Sequence, residues 1–292
     1  MDNGGRLRQL TTRPVKSFVD RVAAITGAGS GIGRALAVEL ARERCHLALA
    51  DVNEPAVAET ARLAGQHGVT VTTAHVDVSD RGQVHAWADR VVRDHGKANL
   101  IFNNAGVGLG STVESARYDD LEWIVGINFW GVVHGTKAFL PPLTASGEGH
   151  VINISSAFGL IGLPTQAAYN ATKFAVRGFT EALRQELDLA RSPVSATCIH
   201  PGGIRTNIAR AARIDESAAA LIGSDVETSR ASFDQLLVTT AESAARKILR
   251  GVRRNARRLL IGRDAYAIDL VQRLLPARYQ ALVEAFVRRF AR

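Results

Sequence analysis

The sequence predicts an α/β protein built on one doubly wound, seven-stranded parallel sheet flanked by helices, with further helical pieces at the C-terminal end. Three observations predict it. Short apolar runs alternate with helix-length segments, the pattern of right-handed β-α-β crossovers. The first apolar run ends in a glycine-rich turn that opens a helical pattern. The chain of 292 residues is 46% hydrophobic and can bury a large core.

The elements follow in order. Residues 22–25 form the first strand. From Ile32 to about Arg42, Ala35, Leu36, Val38 and Leu40 fall near one side of a helix. Further strands are expected at 47–50, 69–76, 100–102, 151–154, 194–199 and 259–261. Helices are expected at 54–65, 80–95, 118–140, 168–190 and 241–251. Residues 1–20 read as a loosely ordered extension, 21–262 as the domain, and 263–292 as a helical tail broken near Pro276. The stretch 204–237 is too long for a plain connection, and it leaves the carboxyl end of a strand. Such segments are lids or binding loops.

Composition narrows the function. Cys45 and Cys198 are too few for a disulfide framework and have no metal-ligand spacing around them, so both read as buried, inert thiols. No apolar run reaches membrane-spanning length, and the first 20 residues hold no signal-peptide core, so the expected location is cytoplasmic. The net charge is +8, but no DNA-binding motif accompanies it. In the tail, Ile268, Leu270, Val271, Leu274 and Leu275 share one side. Leu282, Val283, Phe286, Val287 and Phe290 follow, with Arg273, Arg278, Arg288 and Arg289 among them. Packing on the body or on a neighbouring subunit is the expectation, and lying on an anionic membrane the alternative.

The turn from Thr26 to Gly33 is the cofactor end of a Rossmann-type sheet. Gly27, Gly31 and Gly33 permit a tight turn and close backbone approach to a pyrophosphate. Ser30 and Ile32 stand between them where the helix N-terminus offers free N–H groups. Asp51, 18 residues beyond Gly33, ends the second strand, where a carboxylate accepts from the adenosine ribose hydroxyls and repels a 2′-phosphate. With no cation at Val52, Asn53 or Ser30, NAD is favoured over NADP. Arg34 is the main threat to that preference, and an N-cap for the next helix is the competing role for Asp51. Asp77 and Val78 are placed beside the adenine. Asn104, Ala105 and Gly106 let the backbone lie along the cofactor, and Asn103 reads as a tie between strand ends.

Tyr169 and Lys173 stand one helical turn apart and leave the same face. A free phenol titrates at about 10, and a neighbouring cation favours its ionised form. The glycine turn, Asn103-Asn104-Ala105-Gly106, Asn128, Ser156, Tyr-x-x-x-Lys and Pro201-Gly202 come in the order of the short-chain dehydrogenase/reductase superfamily. The chain resembles its compact form over about residues 20–262. The resemblance implies that Tyr169 is the general acid-base. It implies that Lys173 lowers the Tyr pKa and holds the nicotinamide ribose, that Ser156 bonds the substrate oxygen, and that Asn128 distorts its helix to hold a water behind Lys173. Pro201, Gly202, Ile204 and Thr206 would lie beside the nicotinamide, with Ile204 N–H and Thr206 meeting its carboxamide. Ser155 should face the other side of its strand.

Within that superfamily the chain is similar to actinobacterial dehydrogenases of lipid or long-chain alcohol metabolism. The expected reaction interconverts a primary or secondary alcohol and its carbonyl compound, on a hydrophobic, lipid-like or steroid-like substrate. The substrate would sit among Val107, Leu109, Phe158, Leu160, Gln166 and the 204–237 loop. Helices 118–140 and 168–190 resemble those that pair subunits, so a homodimer or homotetramer is expected. The alternatives are a non-catalytic dinucleotide-binding scaffold or sensor and an NADPH-dependent carbonyl or ketoacyl reductase.

Overall fold

Seven parallel strands make the sheet: β1 (Val22–Thr26), β2 (His46–Asp51), β3 (Val71–His75), β4 (Leu100–Asn103), β5 (Gly149–Ile154), β6 (Val194–Pro201) and β7 (Arg258–Ile261). Their spatial order is β7-β6-β5-β4-β1-β2-β3. The order reverses between β1 and β4, which opens a crevice at their carboxyl ends. Every residue of β1, β4, β5 and β6 is buried, as a sheet covered on both faces requires. The computed structural model describes residues 15–208, 211–221, 223, 225–228 and 237–290. Residues 1–14 of the expected extension, 209–210, 222, 224 and 229–236 of the expected loop, 291–292 of the expected tail, and the side chains of Arg289 and Phe290 lie outside the described residues.

The helices are α1 (Gly31–Arg42), α2 (Glu54–Gly65), α3 (Arg81–His95), α4 (Tyr118–Val125), α5 (Gly131–Ala145), α6 (Ala167–Leu189), α7 (Glu216–Leu221), α8 (Ala241–Arg253), α9 (Arg263–Leu274) and α10 (Tyr279–Phe290). The α1, α2 and α8 helices cover one face of the sheet over a core that includes Phe18, Leu36, Leu40, Phe102 and Ile248. On the other face, α3, α5 and α6 pack around Trp87 and Phe139, whose rings meet edge-to-face at 5.0 Å.

Local chemistry sets the boundaries. Asn53 Oδ1 caps α2 by accepting from Ala56 N at 3.0 Å, with Pro55 in the first turn. Asp80 caps α3 through Gln83 N, and Gly96 ends it at φ +75°. The expected 118–140 helix is two helices joined by a π-helical turn, Gly126–Trp130, with Asn128 at its middle. Such turns leave a backbone carbonyl without its helical partner and gather at functional sites.

The extension is shorter than expected. Val15 and Phe18 are fully buried, the Arg253 guanidinium lies 4.6 Å over the Phe18 ring, and Asp20 N bonds Arg44 O. Residues 15–20 therefore belong to the body. Their spacing, apolar at i and i+3, is a burial signal easily lost among the neighbouring charges. Among the described residues no helix is long and apolar enough to cross a membrane.

Candidate active site

The crevice between β1 and β4 is framed by glycines whose side chains would collide with backbone. A Cβ on Gly27, which sits at φ +63°, would lie 2.8 Å from Ala105 Cα, and one on Gly33 would lie 2.2 Å from the Gly27 carbonyl. Asn104 stitches the two strand ends. Its Nδ2 donates to the carbonyls of Thr26 and Gly27 at 2.9 and 3.1 Å, and its N–H donates to Thr26 Oγ1, as does that of Ala105. Ser30, at the N-cap of α1, makes no side-chain cap bond. The leading N–H groups of that helix thus face the turn uncapped by a side chain, with half-buried Ile32 beside them. A dinucleotide pyrophosphate fits such a cradle.

Asp51 reaches into the same turn. Its Oδ2 accepts from Gly29 N at 2.8 Å and its Oδ1 from Asn53 N at 2.9 Å. The capping role weighed for Asp51 falls to Asn53. Arg34 is anchored by the protein itself: Nε donates to Thr60 Oγ1 at 3.0 Å, and an Nη donates to the carbonyls of Gly29 and Ala56. At the adenine side, β3 ends at His75, so Asp77 and Val78 lie just beyond the strand. Asp77 Oδ1 accepts from Ser79. Buried Val78 presents its carbonyl to His134 Nδ1 at 3.1 Å.

The next strand ends and α6 bring Ser156, Tyr169 and Lys173 together. The Ser156 hydroxyl stands close enough to Tyr169 to favour its ionised phenol. Lys173 Nζ sits 5.6 Å from the centre of the Tyr169 ring and donates to Ile154 O at 3.2 Å. Lys173 is 3% exposed, and that burial pulls its pKa down to about 8. Burial also pushes the Tyr169 phenol above its usual range, an effect the nearby Ser156 hydroxyl partly opposes. In the free protein desolvation thus outweighs the downward pull on Tyr169 expected from Lys173. Ser156 Oγ also accepts from Phe158 N at 3.1 Å, and the Phe158 ring meets Tyr169 edge-on at 6.2 Å. Ser155 turns the other way, with its Oγ donating to Lys173 O at 2.7 Å. That bond fixes the start of the turn bearing Lys173.

Asn128 is completely buried. Its Oδ1 accepts from Val107 N at 2.8 Å and its Nδ2 donates to Val107 O at 2.9 Å. A Cβ on Gly106 would stand 3.2 Å from Asn128 Oδ1 and 3.4 Å from Lys173 Nζ, so this glycine lies between the two. Asn103 is structural, donating to Asn153 Oδ1 at 2.8 Å and to Thr136 Oγ1.

Beyond β6, Pro201, Gly202 and Gly203 turn the chain toward the crevice. Thr206 closes on the glycine turn, its Cγ2 lying 3.0 Å from where a Gly31 Cβ would be. Ile204 is buried and pairs with Thr239 in a two-residue parallel bridge. The following segment crosses the expected substrate side: Arg213 and Ile214 pair with Leu109 and Gly110. The Arg213 guanidinium lies 3.7 Å over the Trp123 ring and bonds Asp120 at 2.6 Å. Gln166 Nε2 approaches Gly110.

Several participants escape sequence reasoning. Arg213 and Trp123 carry no motif, and the turn motif does not foretell that Thr26 Oγ1 binds the N–H groups of Asn104 and Ala105. Asp264, in the first turn of α9, accepts from Gly203 N at 2.5 Å. The one local hint is an acid just after Gly262, where a helix begins.

Comparison with known proteins gives a consistent result. A family model described as short chain dehydrogenase matches residues 21–217. A Mycobacterium tuberculosis protein that carries the name oxidoreductase SadH is 48% identical over 277 residues, covering 94% of this chain and 98% of that protein. Human estradiol 17-beta-dehydrogenase 11 is 29% identical over 92% of this chain and 84% of its own. A crystal structure of a short chain dehydrogenase/reductase from Burkholderia phymatum in complex with NAD superposes with a TM-score of 0.82. Its identity is 31%, with 88% of this chain and 94% of that chain covered.

Proposed function

The chain belongs to the short-chain dehydrogenase family, a family of oxidoreductases, and from that premise we propose that it is an NAD-dependent enzyme interconverting a hydrophobic alcohol and its carbonyl compound. The observation that carries the reading is the meeting of Ser156, Tyr169 and Lys173 at one end of the nucleotide crevice. A bound nicotinamide dinucleotide supplies or accepts the hydride. Gly27, Ser30, Gly31, Ile32 and Gly33 would hold its pyrophosphate, and Asp51, Asp77 and Val78 its adenosine. Asn104, Ala105 and Gly106 would line its path. Tyr169, Lys173, Pro201, Gly202, Ile204 and Thr206 would hold its nicotinamide end.

The protein's own part is orientation and one proton. Ser156 Oγ and the Tyr169 hydroxyl converge on the substrate oxygen and stabilise the charge that grows there. In reduction Tyr169 gives that oxygen a proton; in oxidation it takes the proton from the alcohol. The Lys173 ammonium favours the ionised phenol. Asn128 holds Val107 and Gly106 against Lys173, and the distorted turn around it suits a water that refills the proton.

NAD over NADP rests on Asp51 at the ribose position and on the anchored Arg34; the NAD complex of the Burkholderia relative fits that choice. A hydrophobic substrate is supported by half-buried Val107 and Phe158, and by the steroid named for the human relative. Trp130, Phe174 and Val125, exposed on the long helices, suit a homodimer or homotetramer. The two buried thiols, each pushed up to about 12 by desolvation, suit a reducing compartment such as the cytoplasm. The deciding experiment is a screen of aliphatic alcohols, aldehydes and steroids with both nicotinamide cofactors, followed by absorbance of the reduced ring. Turnover with NAD(H) on an apolar substrate is expected. A wild-type protein that binds no nicotinamide dinucleotide and turns over nothing overturns the reading.

A further inference from the structure

We propose that Asp264 is a positioning residue of the nicotinamide-end loop, which makes the C-terminal helices part of the frame of the active site. The inference rests on the oxidoreductase reading above and adds a residue that no motif marks.

The geometry is specific. The Pro201–Gly203 turn leaves the end of β6 and is held by neighbouring segments, with Gly203 O accepting from Thr239 N at 3.1 Å. Gly202 N donates to Ile261 O at 2.8 Å, and Gly203 N donates to Asp264 Oδ2 at 2.5 Å. Two glycines make room for the carboxylate. A Cβ on Gly202 would come within 2.1 Å of it, and one on Gly262, which sits at φ +100°, within 2.3 Å. The other carboxylate oxygen, Oδ1, is buried with no partner among the described residues, a costly arrangement for packing alone to retain. A bond from a backbone N–H to a desolvated carboxylate is also stronger than one to a neutral acceptor.

What the clamp fixes lies one to three residues on. Ile204 follows Gly203 directly, and Thr206 rests on Gly31 of the glycine turn. Displacing Gly203 therefore displaces both the nicotinamide contacts and the lid over the pyrophosphate turn, and small misplacements at such sites are expensive. The tail grips the opposite wall as well. Tyr279 Oη, at the start of α10, accepts from Gly162 N at 3.1 Å, four residues beyond Phe158, whose ring sits on Tyr169. Ordinary anchoring of the tail is done elsewhere, by Asp269 with Arg258 and Arg273.

The test compares Asp264→Ala, Asp264→Asn and Asp269→Ala by amide hydrogen exchange over residues 201–208 of the free protein, NADH affinity by fluorescence, and melting temperature. Asp264→Ala is expected to speed exchange at Gly203 and its neighbours about tenfold and to weaken NADH about fivefold. Asp264→Asn, which keeps an acceptor oxygen, recovers part of both losses and serves if the alanine variant does not fold. Asp269→Ala lowers the melting temperature without changing NADH affinity. The proposal is overturned if Asp264→Ala leaves exchange and NADH affinity as in wild type, or if Asp269→Ala reproduces its effects. A wild-type protein that fails to bind NADH instead overturns the oxidoreductase reading, and the exchange comparison still decides whether Asp264 clamps the loop.

Discussion

Lys173 Nζ and the Tyr169 ring share one face of α6, 5.6 Å apart, and burial drives their pKa values apart: the phenol up, the ammonium down to about 8. Lys173 therefore keeps its full charge only below about pH 8. Oxidation needs the ionised phenol and should accelerate with rising pH; reduction needs the neutral phenol and should slow. Lys173→Gln removes the charge that favours ionisation, so oxidation should slow most below about pH 8, where wild-type Lys173 is charged. Initial rates in both directions from pH 6 to 10 check this. Rates that rise together in the two directions would remove Tyr169 as the proton carrier.

Replacing Tyr169 with Phe removes the proton and leaves the ring against Phe158. Turnover should fall about a thousandfold, within the range for a lost general acid-base. The NADH dissociation constant should change less than about threefold. Stopped-flow turnover and fluorescence titration separate the two, and a variant with near-normal turnover assigns the proton elsewhere.

Asp51 both straps Gly29 and faces the expected ribose. Asp51→Ala should reduce the preference for NAD over NADP about tenfold, equivalent to about 1.4 kcal/mol. It should also raise the NAD KM, because the strap on Gly29 is lost with the charge. The ratio of kcat/KM values for the two cofactors measures the first effect. A wild type that already prefers NADP would refute the assignment.

Periodicity and punctuation made the fold legible, because each buried parallel strand is an apolar run and each crossover a helix. The site was legible where chemistry needs fixed spacing, as in Tyr169 and Lys173 or the glycine turn. It was obscure where partners are brought together by the fold alone. Asp264 lies 61 residues beyond Gly203 along the chain, and Arg213 lies far from Trp123. Sequence does not reveal either that Thr60 and two carbonyls bind the Arg34 guanidinium. The Tyr169 shift went unforeseen because desolvation depends on packing depth, which spacing does not encode.

Two buried histidines should make the protein acid-sensitive. His200 Nδ1 donates to Ser156 O at 2.9 Å, since a carbonyl accepts only. His150 Nε2 meets Thr197 Oγ1 at 2.7 Å. Burial lowers their pKa values to about 4 and about 3, from 6.5 in an exposed ring. The unfolded chain binds both protons below 6.5 while the folded one does not. The stability they permit is therefore intact above pH 6.5 and drains away as pH falls toward 4. In that window each should contribute about 1.4 kcal/mol per pH unit. His150→Gln should remove about half of this slope in urea unfolding at pH 7, 6 and 5. An unchanged slope would show that His150 protonates freely in the folded state.

Arg213 fastens the segment that crosses the proposed substrate side. Its backbone pairs with Leu109, and its guanidinium is sandwiched between the Trp123 face and Asp120. Because the side chain is half exposed, with a side-chain accessibility of 51%, its hold is modest, about 1 kcal/mol for such a cation–π contact. That is enough to shift a loop equilibrium but not to unfold a domain. Arg213→Ala should therefore raise the KM of the apolar substrate about fivefold and leave NADH affinity and melting temperature near wild type. If closure of this segment limits release, kcat should rise in the same variant. Equal losses in cofactor and substrate affinity would mean that Arg213 supports the crevice as a whole rather than the crossing segment.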